Sequence, residues 1–378
     1  MTPIPRPRCA ISGADDLELL HTFRRFPVFM GCTTRPASTD VTADMSWWIS
    51  RGSGLIQLNP LLPLEVLYPE SHGAGSIGAL WARHHEAFAR FVNAGQPRAV
   101  FEIGGSHGIL EREYQAFGAV PWTILEPNPD PAPGTRATFI RGFFDAQSRF
   151  DGEFDTVVHS HVLEHIYDPV AFMAQLAAFM DEGKTLAFSI PNMQVMLERL
   201  YNNCINFEHT LLLTEPYVEH LLACHGFRLE RKELFLDDHS IFYRAVRDRS
   251  VKATALGAGL FDANAALFDR YLSTHAELAE RLNERIAVAD APVYLFGAHV
   301  FAQYMLAFGL DESRLAGILD NDPNKQGKRL YGSSLTVYPP AVLRDAGRPM
   351  VILRAGAYNA EIREAIVSGI NPDVVFLD

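Results

Sequence analysis

Residues 101–110 read FEIGGSHGIL, an apolar run that carries a carboxylate, Glu102, and breaks into Gly104, Gly105, Ser106 and Gly108. Glycines at this density let the backbone turn sharply and approach a ligand with no side chain between. The acid supplies a partner for a positive group. A second apolar run, WTILEP (122–127), ends on Glu126, where a carboxylate can accept both hydroxyls of a ribose. A third, ATFIRGFF, is followed by Asp145, placed to face an adenine amine. A fourth, DTVVHSHVL, contains His159 and His161, with His165 close behind. Further on, NFEHTLLLTE (206–215) pairs Glu208 with His209. An imidazole titrates near neutral pH, so such a pair has the chemistry of a general base and its orienting acid.

Two cofactor classes use a glycine turn after the first strand. Dinucleotide enzymes use G-x-G-x-x-G, which seats a pyrophosphate on a helix N-terminus. Here the order is Gly104-Gly105-Ser106-His107-Gly108 with an acid before it and a second acid at the next strand end. That is the usual form for S-adenosylmethionine, which has no pyrophosphate but has an ammonium group and a ribose diol. S-adenosylmethionine is the expected cofactor and a nicotinamide dinucleotide the alternative. His159 and His161 form an H-x-H pair, a spacing that also occurs in zinc sites. Local packing and hydrogen bonding is the preferred reading of the pair, and no metal is expected.

Elements that would position these residues are legible along the chain. From about 98 to 247, strand patterns alternate with helix patterns, including DPVAFMAQLAAFM with Asp168 as its N-cap. Alternation of this kind predicts a parallel sheet with helices on both faces. FRLERKELFL and SIFYRAVR lie close together in sequence and predict an antiparallel edge. IGALWARHHEAFARFV (77–92) is a lead-in helix. Residues 1–75 read as a small, loop-rich module with short strands. Residues 252–287 read as helical, and the remainder repeats the α/β pattern on a smaller scale. The expected domains are therefore 1–75, 76–250 and 251–378.

Composition narrows the class. The chain has 378 residues, 21% of them charged, and a net charge of −12, which opposes a nucleic-acid backbone as the main partner. No uncharged apolar run approaches a membrane span, and the N-terminal MTPIPRPRCA lacks the apolar core of a secretory signal. Cys9, Cys32, Cys204 and Cys224 are scattered without a C-x-x-C pair. A reducing, cytoplasmic location is the expectation.

HSHVLEHIYDP (159–169) resembles the segment after the fourth strand of class I methyltransferases, which lines the cofactor pocket. The whole chain resembles the three-domain sugar C-methyltransferases of the tetronitrose C-3′ type. YPESHGAGS (68–76), FEIGGSHGIL, NFEHTLLLT, LFGAHVFA and ILDNDPNKQGKRLYGSSLTVYPP carry the resemblance in order. It implies a class I methyltransferase Rossmann-like domain between a small N-terminal zinc module and a C-terminal Rossmann-like α/β domain. It also implies His209 as the base and places Tyr68 beside the cofactor. The sequence departs from the family where two C-x-x-C pairs would stand. Here they read Cys9-Ala-Ile-Ser12 and Ser50-Arg-Gly-Ser53. Serine does not hold structural zinc, so the module is expected to be metal-free. The family's tyrosine before Glu-His is Asn206.

These readings converge on methyl transfer to a small molecule, with C-methylation of a nucleotide-linked sugar implied by the resemblance. Two alternatives remain: O- or N-methylation of another small acceptor, and a non-catalytic binding protein derived from a methyltransferase. Lys325, Lys328 and Arg329 near Gly297 read equally as a phosphate-binding loop or as a solvated turn.

Overall fold

The computed structural model describes residues 2–68, 78–354 and 359–377. Two compact units divide the chain. One comprises Met1–Leu20, Trp47–Arg199 and Asn206–Ala265; the other comprises His21–Ser46, Leu200–Ile205 and Ala266–Asp378.

The first unit is built on a seven-stranded sheet. Its order is Phe227–Phe235, Ser240–Arg247, Thr185–Pro191, Thr156–Ser160, Val100–Ile103, Trp122–Glu126, Thr138–Arg141. Every pairing among the five strands from Thr185–Pro191 to Thr138–Arg141 is parallel. Ser240–Arg247 runs antiparallel to both its neighbours. The expected antiparallel edge is thus present, with the second strand of the late pair inserted between the first and the parallel set. The five parallel strands except Thr138–Arg141 are buried along most of their length, which explains why they read as continuous apolar runs rather than as alternating ones. Alternate side chains still serve different faces. Phe101, Ile103 and Val157 pack on one side, while Val100, Ile124 and Val158 pack on the other. Burial of a side chain such as Phe101, 2% exposed, contributes about 1.5–3 kcal/mol.

Strand order reverses between Val100–Ile103 and Thr156–Ser160, the two strands that flank the first glycine turn. Ligands of open parallel sheets bind at such a switch point, outside the carboxyl ends of the strands. The helix Pro169–Phe179 starts where the sequence predicts, with the Asp168 carboxylate accepting from the Ala171 N–H at 2.8 Å.

In the N-terminal part of this unit, Cys9, Ser12, Ser50 and Ser53 come together. Cys9 Sγ lies 3.2 Å from Ser53 Oγ, the Ser12 N–H points to Cys9 Sγ, and the Ser53 N–H donates to Ser50 Oγ. Against the upward push of burial, hydrogen bonds from Ser12 and Ser53 hold the Cys9 thiol below its ordinary value. One strand differs from the expectation of short strands: Leu17–Pro27 is 11 residues long.

The second unit holds a five-stranded, wholly parallel sheet in the order Val337–Tyr338, Leu315–Leu319, Val293–Phe296, Met350–Ile352, Val375–Leu377. This is the expected smaller Rossmann-like fold. Its glycine turn is satisfied internally. Asp320 Oδ2 accepts from the Ala298 N–H at 2.9 Å and from Lys325 Nζ at 3.0 Å. Arg329 forms a two-pronged pair with Asp40. Two of the three basic groups of the candidate phosphate loop therefore already have carboxylate partners.

Candidate active site

Glu102 ends inside the first unit rather than on its surface. It is 2% exposed, and its Oε2 accepts from Trp122 Nε1 at 2.7 Å. Burial pushes its carboxyl up to about 7, with the Trp122 hydrogen bond opposing the shift. The carboxyl sits beneath the glycine turn, where a Cβ on Gly105 would lie 2.7 Å from its carboxyl carbon. Glycine is required there by lack of space. At Gly104 both space and conformation require it: φ is 73°, and a Cβ would lie 2.9 Å from a methyl of Val162. Ser106 is also left-handed, at φ 43°, and Gly108 leads into the helix Ile109–Tyr114.

Glu126 is half-buried at the end of its strand and holds this loop from the side. Its Oε2 accepts from the Ser106 N–H at 3.1 Å and its Oε1 from the Asn128 N–H at 3.0 Å. The structure thus brings together the carboxylate and the loop that the sequence separates by twenty positions. Asp145 is exposed beyond the next strand, in a turn of its own where Oδ1 accepts from the Gln147 N–H at 2.8 Å.

His159 is placed differently from the expectation that it lines the cofactor pocket. It is fully buried, and its ring stacks on Phe188 at 4.9 Å. Neither ring nitrogen has a hydrogen-bond partner, and burial lowers its pKa to about 3. Strand geometry is the reason. His159 lies inside the strand Thr156–Ser160, opposite Phe188 in register, and its side chain is committed to the core.

His161 comes just after that strand, at φ 52°, with its N–H bonded to the Ser189 carbonyl at 2.9 Å. Its Nδ1 lies 3.2 Å from Glu164 Oε1, and its Nε2 lies 2.9 Å from Ser240 Oγ. Burial, followed by the neighbouring histidines, holds the His161 imidazole well below its ordinary value. Glu164 has no exposed surface, and neither of its oxygens accepts a hydrogen bond of good geometry. Burial raises its pKa, while His165 and His209 oppose the shift.

The loop of Glu208 and His209 is drawn onto this segment by main-chain bonds. The Thr210 N–H donates to the Glu164 carbonyl at 3.1 Å, and the Leu58 N–H donates to the Thr210 carbonyl at 3.0 Å. Buried Arg6 ties the two together, donating to the carbonyls of Thr210 at 3.0 Å and Tyr167 at 2.6 Å. Asn206 is buried, and its side-chain oxygen accepts from the N–H groups of both Glu208 and His209, each at 2.8 Å. It therefore shapes the Glu-His turn. The His165 and His209 rings meet edge to face at 5.0 Å. Tyr68 OH lies 3.2 Å from His165 Nδ1, so it belongs with His165 and His209 rather than with the glycine loop. Residues 69–76 of the stretch that begins at Tyr68 lie outside the described residues.

Glu164 is the functional candidate that sequence reasoning passed over, together with His84 and His239. The two histidines sit in WARHHE and LDDHS, where nothing in the local pattern distinguishes them from surface histidines. The Val162 contact with Gly104 joins this histidine-rich group to the glycine turn, so both face the same end of the sheet.

Residues 78–232 match a family model described as a methyltransferase domain. No curated protein matches the chain significantly. Among solved structures, the chain is similar to magnesium protoporphyrin IX methyltransferase from Synechocystis PCC 6803 with bound SAH. The identity is 18% and the TM-score 0.36, over 46% of this chain and 86% of that one. It is also similar to the N-methyltransferase NodS from Bradyrhizobium japonicum WM9, at 13% identity and TM-score 0.34, over 45% and 97%. An O-methyltransferase family protein from Burkholderia thailandensis gives 13% and 0.36 over 44% of this chain and 56% of its own. Residues 78–232 thus carry a methyltransferase domain, the class expected from the glycine turn and the strand-end acids. Among the described residues, no helix is long and apolar enough to cross a membrane.

Proposed function

We propose that the protein transfers the methyl group of S-adenosylmethionine to a small molecule held between the glycine turn and the Tyr68–His165–His209 group. The observation that carries this reading is Glu126. Its carboxylate is fixed on the glycine loop through the Ser106 N–H, at the switch point of the sheet. In this assignment the backbone of Gly104, Gly105, Ser106 and Gly108 holds the methionine end. Glu102, bonded to Trp122, supports that turn from below. Glu126 takes the ribose hydroxyls, and Asp145 lies on the adenine side. His209 removes a proton from the acceptor, and Glu208 orients it. The three-part organisation, 1–75, 76–250 and 251–378, belongs to the same reading. Hydrogen bonds among Cys9, Ser12, Ser50 and Ser53 take the place of a zinc ion in the first part.

C-methylation of a nucleotide-linked sugar is the preferred acceptor chemistry, on the resemblance of NFEHTLLLT and the C-terminal segments to the sugar C-methyltransferases. A carbon nucleophile next to a carbonyl must lose a proton, which gives His209 its role. Asn206 favours a second reading. Its side-chain oxygen is already engaged with two N–H groups, and an amide is neither acid nor base. An acceptor oxygen or amine that is nucleophilic without help would suit such a site. Calorimetry with S-adenosylhomocysteine tests the cofactor. Transfer of labelled methyl to a panel of nucleotide-linked ketosugars, phenols and amines tests the acceptor. Absence of any binding heat would leave a non-catalytic protein as the reading.

A further inference from the structure

We propose that His84, His161 and His239 form a binding site for a divalent transition metal of the zinc class, with Glu164 positioning His161. One ring nitrogen from each histidine lies within 4.8 Å of the others. They come from three separate elements: the helix Ala79–Asn93, the residue after Thr156–Ser160, and the turn before Ser240–Arg247. The H-x-H spacing suits zinc, but the sequence favours local packing for the pair and hence no metal. The partners that tertiary structure gives His161 are neither His159 nor His165 but these two distant histidines.

Four features point to a ligand rather than to packing. His84 has no exposed surface, and its Nδ1 has no hydrogen-bond partner, an arrangement that is costly unless something else satisfies the nitrogen. His161 adopts a left-handed backbone, unfavourable for a residue with a Cβ, and strain of this kind clusters at sites. Its Nδ1 faces the Glu164 carboxylate at 3.2 Å. With Nδ1 on the carboxylate side, a neutral imidazole protonated there carries its lone pair on Nε2, and carboxylate–histidine–metal triads bind a metal through that tautomer. Finally, Glu164 is a buried acid without a good hydrogen bond, and a nearby cation would offset its charge.

Trp81 and Ser240 complete the surroundings. Trp81 stands edge-on to His84, His161 and His239, with centroids 5.2, 5.0 and 5.1 Å away. Ser240 Oγ lies 2.9 Å from His161 Nε2 and 2.6 Å from His239 Nδ1. Three neutral imidazoles suit zinc, cobalt or nickel and not the oxygen-seeking magnesium or calcium. Tetrahedral zinc with Zn–N of about 2.0–2.1 Å needs nitrogens roughly 3.4 Å apart, which modest ring rotations supply from the observed spacing. The metal would clamp the lead-in helix and the 236–239 turn onto the segment that packs against Gly104. This inference is independent of the acceptor and of methyl transfer itself.

The test uses the full chain, freed of metal by chelator and then titrated with Co(II) and with Zn(II). Bound metal is counted by elemental analysis after gel filtration, and Co(II) coordination is read from its visible absorption. The expected result is about one metal per chain, with affinity reduced about tenfold or more in His239→Gln and about 10–100-fold in Glu164→Gln. His239 is partly exposed, so its variant preserves the core, which circular dichroism checks. Cys9→Ser should bind as the unmodified protein does. Substoichiometric binding at micromolar metal would overturn the proposal. So would unchanged binding in both His239→Gln and Glu164→Gln. Binding kept in His239→Gln but lost in His209→Gln would place the metal on the neighbouring Glu164, His165 and His209 instead, and would equally overturn it.

Discussion

Replacing Glu126 with alanine probes the junction on which the cofactor assignment rests. In the folded chain its two oxygens accept from the Ser106 and Asn128 N–H groups at 3.1 and 3.0 Å. Each oxygen retains a second lone pair for a ribose hydroxyl. A hydrogen bond to a charged group contributes about 1.5–3 kcal/mol. Loss of one such bond to the ribose weakens binding by roughly 10- to 150-fold, at 1.4 kcal/mol per factor of ten. The alanine variant also frees Ser106, whose left-handed φ of 43° is held by that carboxylate, so loop ordering adds to the loss. Glu126→Gln keeps one carbonyl acceptor and should fall between the two. Titration calorimetry with S-adenosylhomocysteine measures the dissociation constants directly, and thermal unfolding confirms that each variant is folded. A dissociation constant for Glu126→Ala within twofold of the parent would remove Glu126 from the cofactor site. Preferential binding of NAD by the parent would refute the reasoning at its root.

Three further outcomes are expected. His209→Ala should lower kcat by about 10²–10⁴-fold while leaving S-adenosylhomocysteine affinity unchanged; full activity would discard the base and favour an acceptor that needs only proximity. Asn206→Ala removes the acceptor shared by two partly buried N–H groups and should cost about 1 kcal/mol or more in denaturant unfolding, with Asn206→Asp largely restoring it. Glu102 has its folded pKa raised from 4.5 to about 7, so the native state holds its proton more tightly than the unfolded chain does. Its contribution to stability is full below about pH 4.5 and is lost as pH rises through about 7, by about 3 kcal/mol. Glu102→Gln lacks this loss, so urea unfolding should show its stability relative to the parent growing across that window, and a pH-independent difference would refute the account.

The strands and helices of the first α/β region were legible because their burial is written into composition. TLAFSIP, predicted as a strand, is one from Thr185 to Pro191, and Asp168 caps the helix it was expected to cap. The glycine loop was legible because only glycine fits over Glu102 and against Val162. Glu126 was placed correctly at a strand end because parallel strands deliver their last side chains to one edge of the sheet. Register decided what the sequence left open. His159 and His161 look equivalent in HSH, yet one lies within a strand facing Phe188 and the other lies beyond its end. Asn206 read as a lost tyrosine; its part in shaping the Glu-His turn depends on hydrogen bonds that a sequence does not display. His84, His239 and Glu164 carried no local signal at all. The meeting of His84 and His239 with His161 depends on long-range packing of a helix, a turn and a strand end, positions up to 155 apart in the chain that only the folded sheet brings within reach.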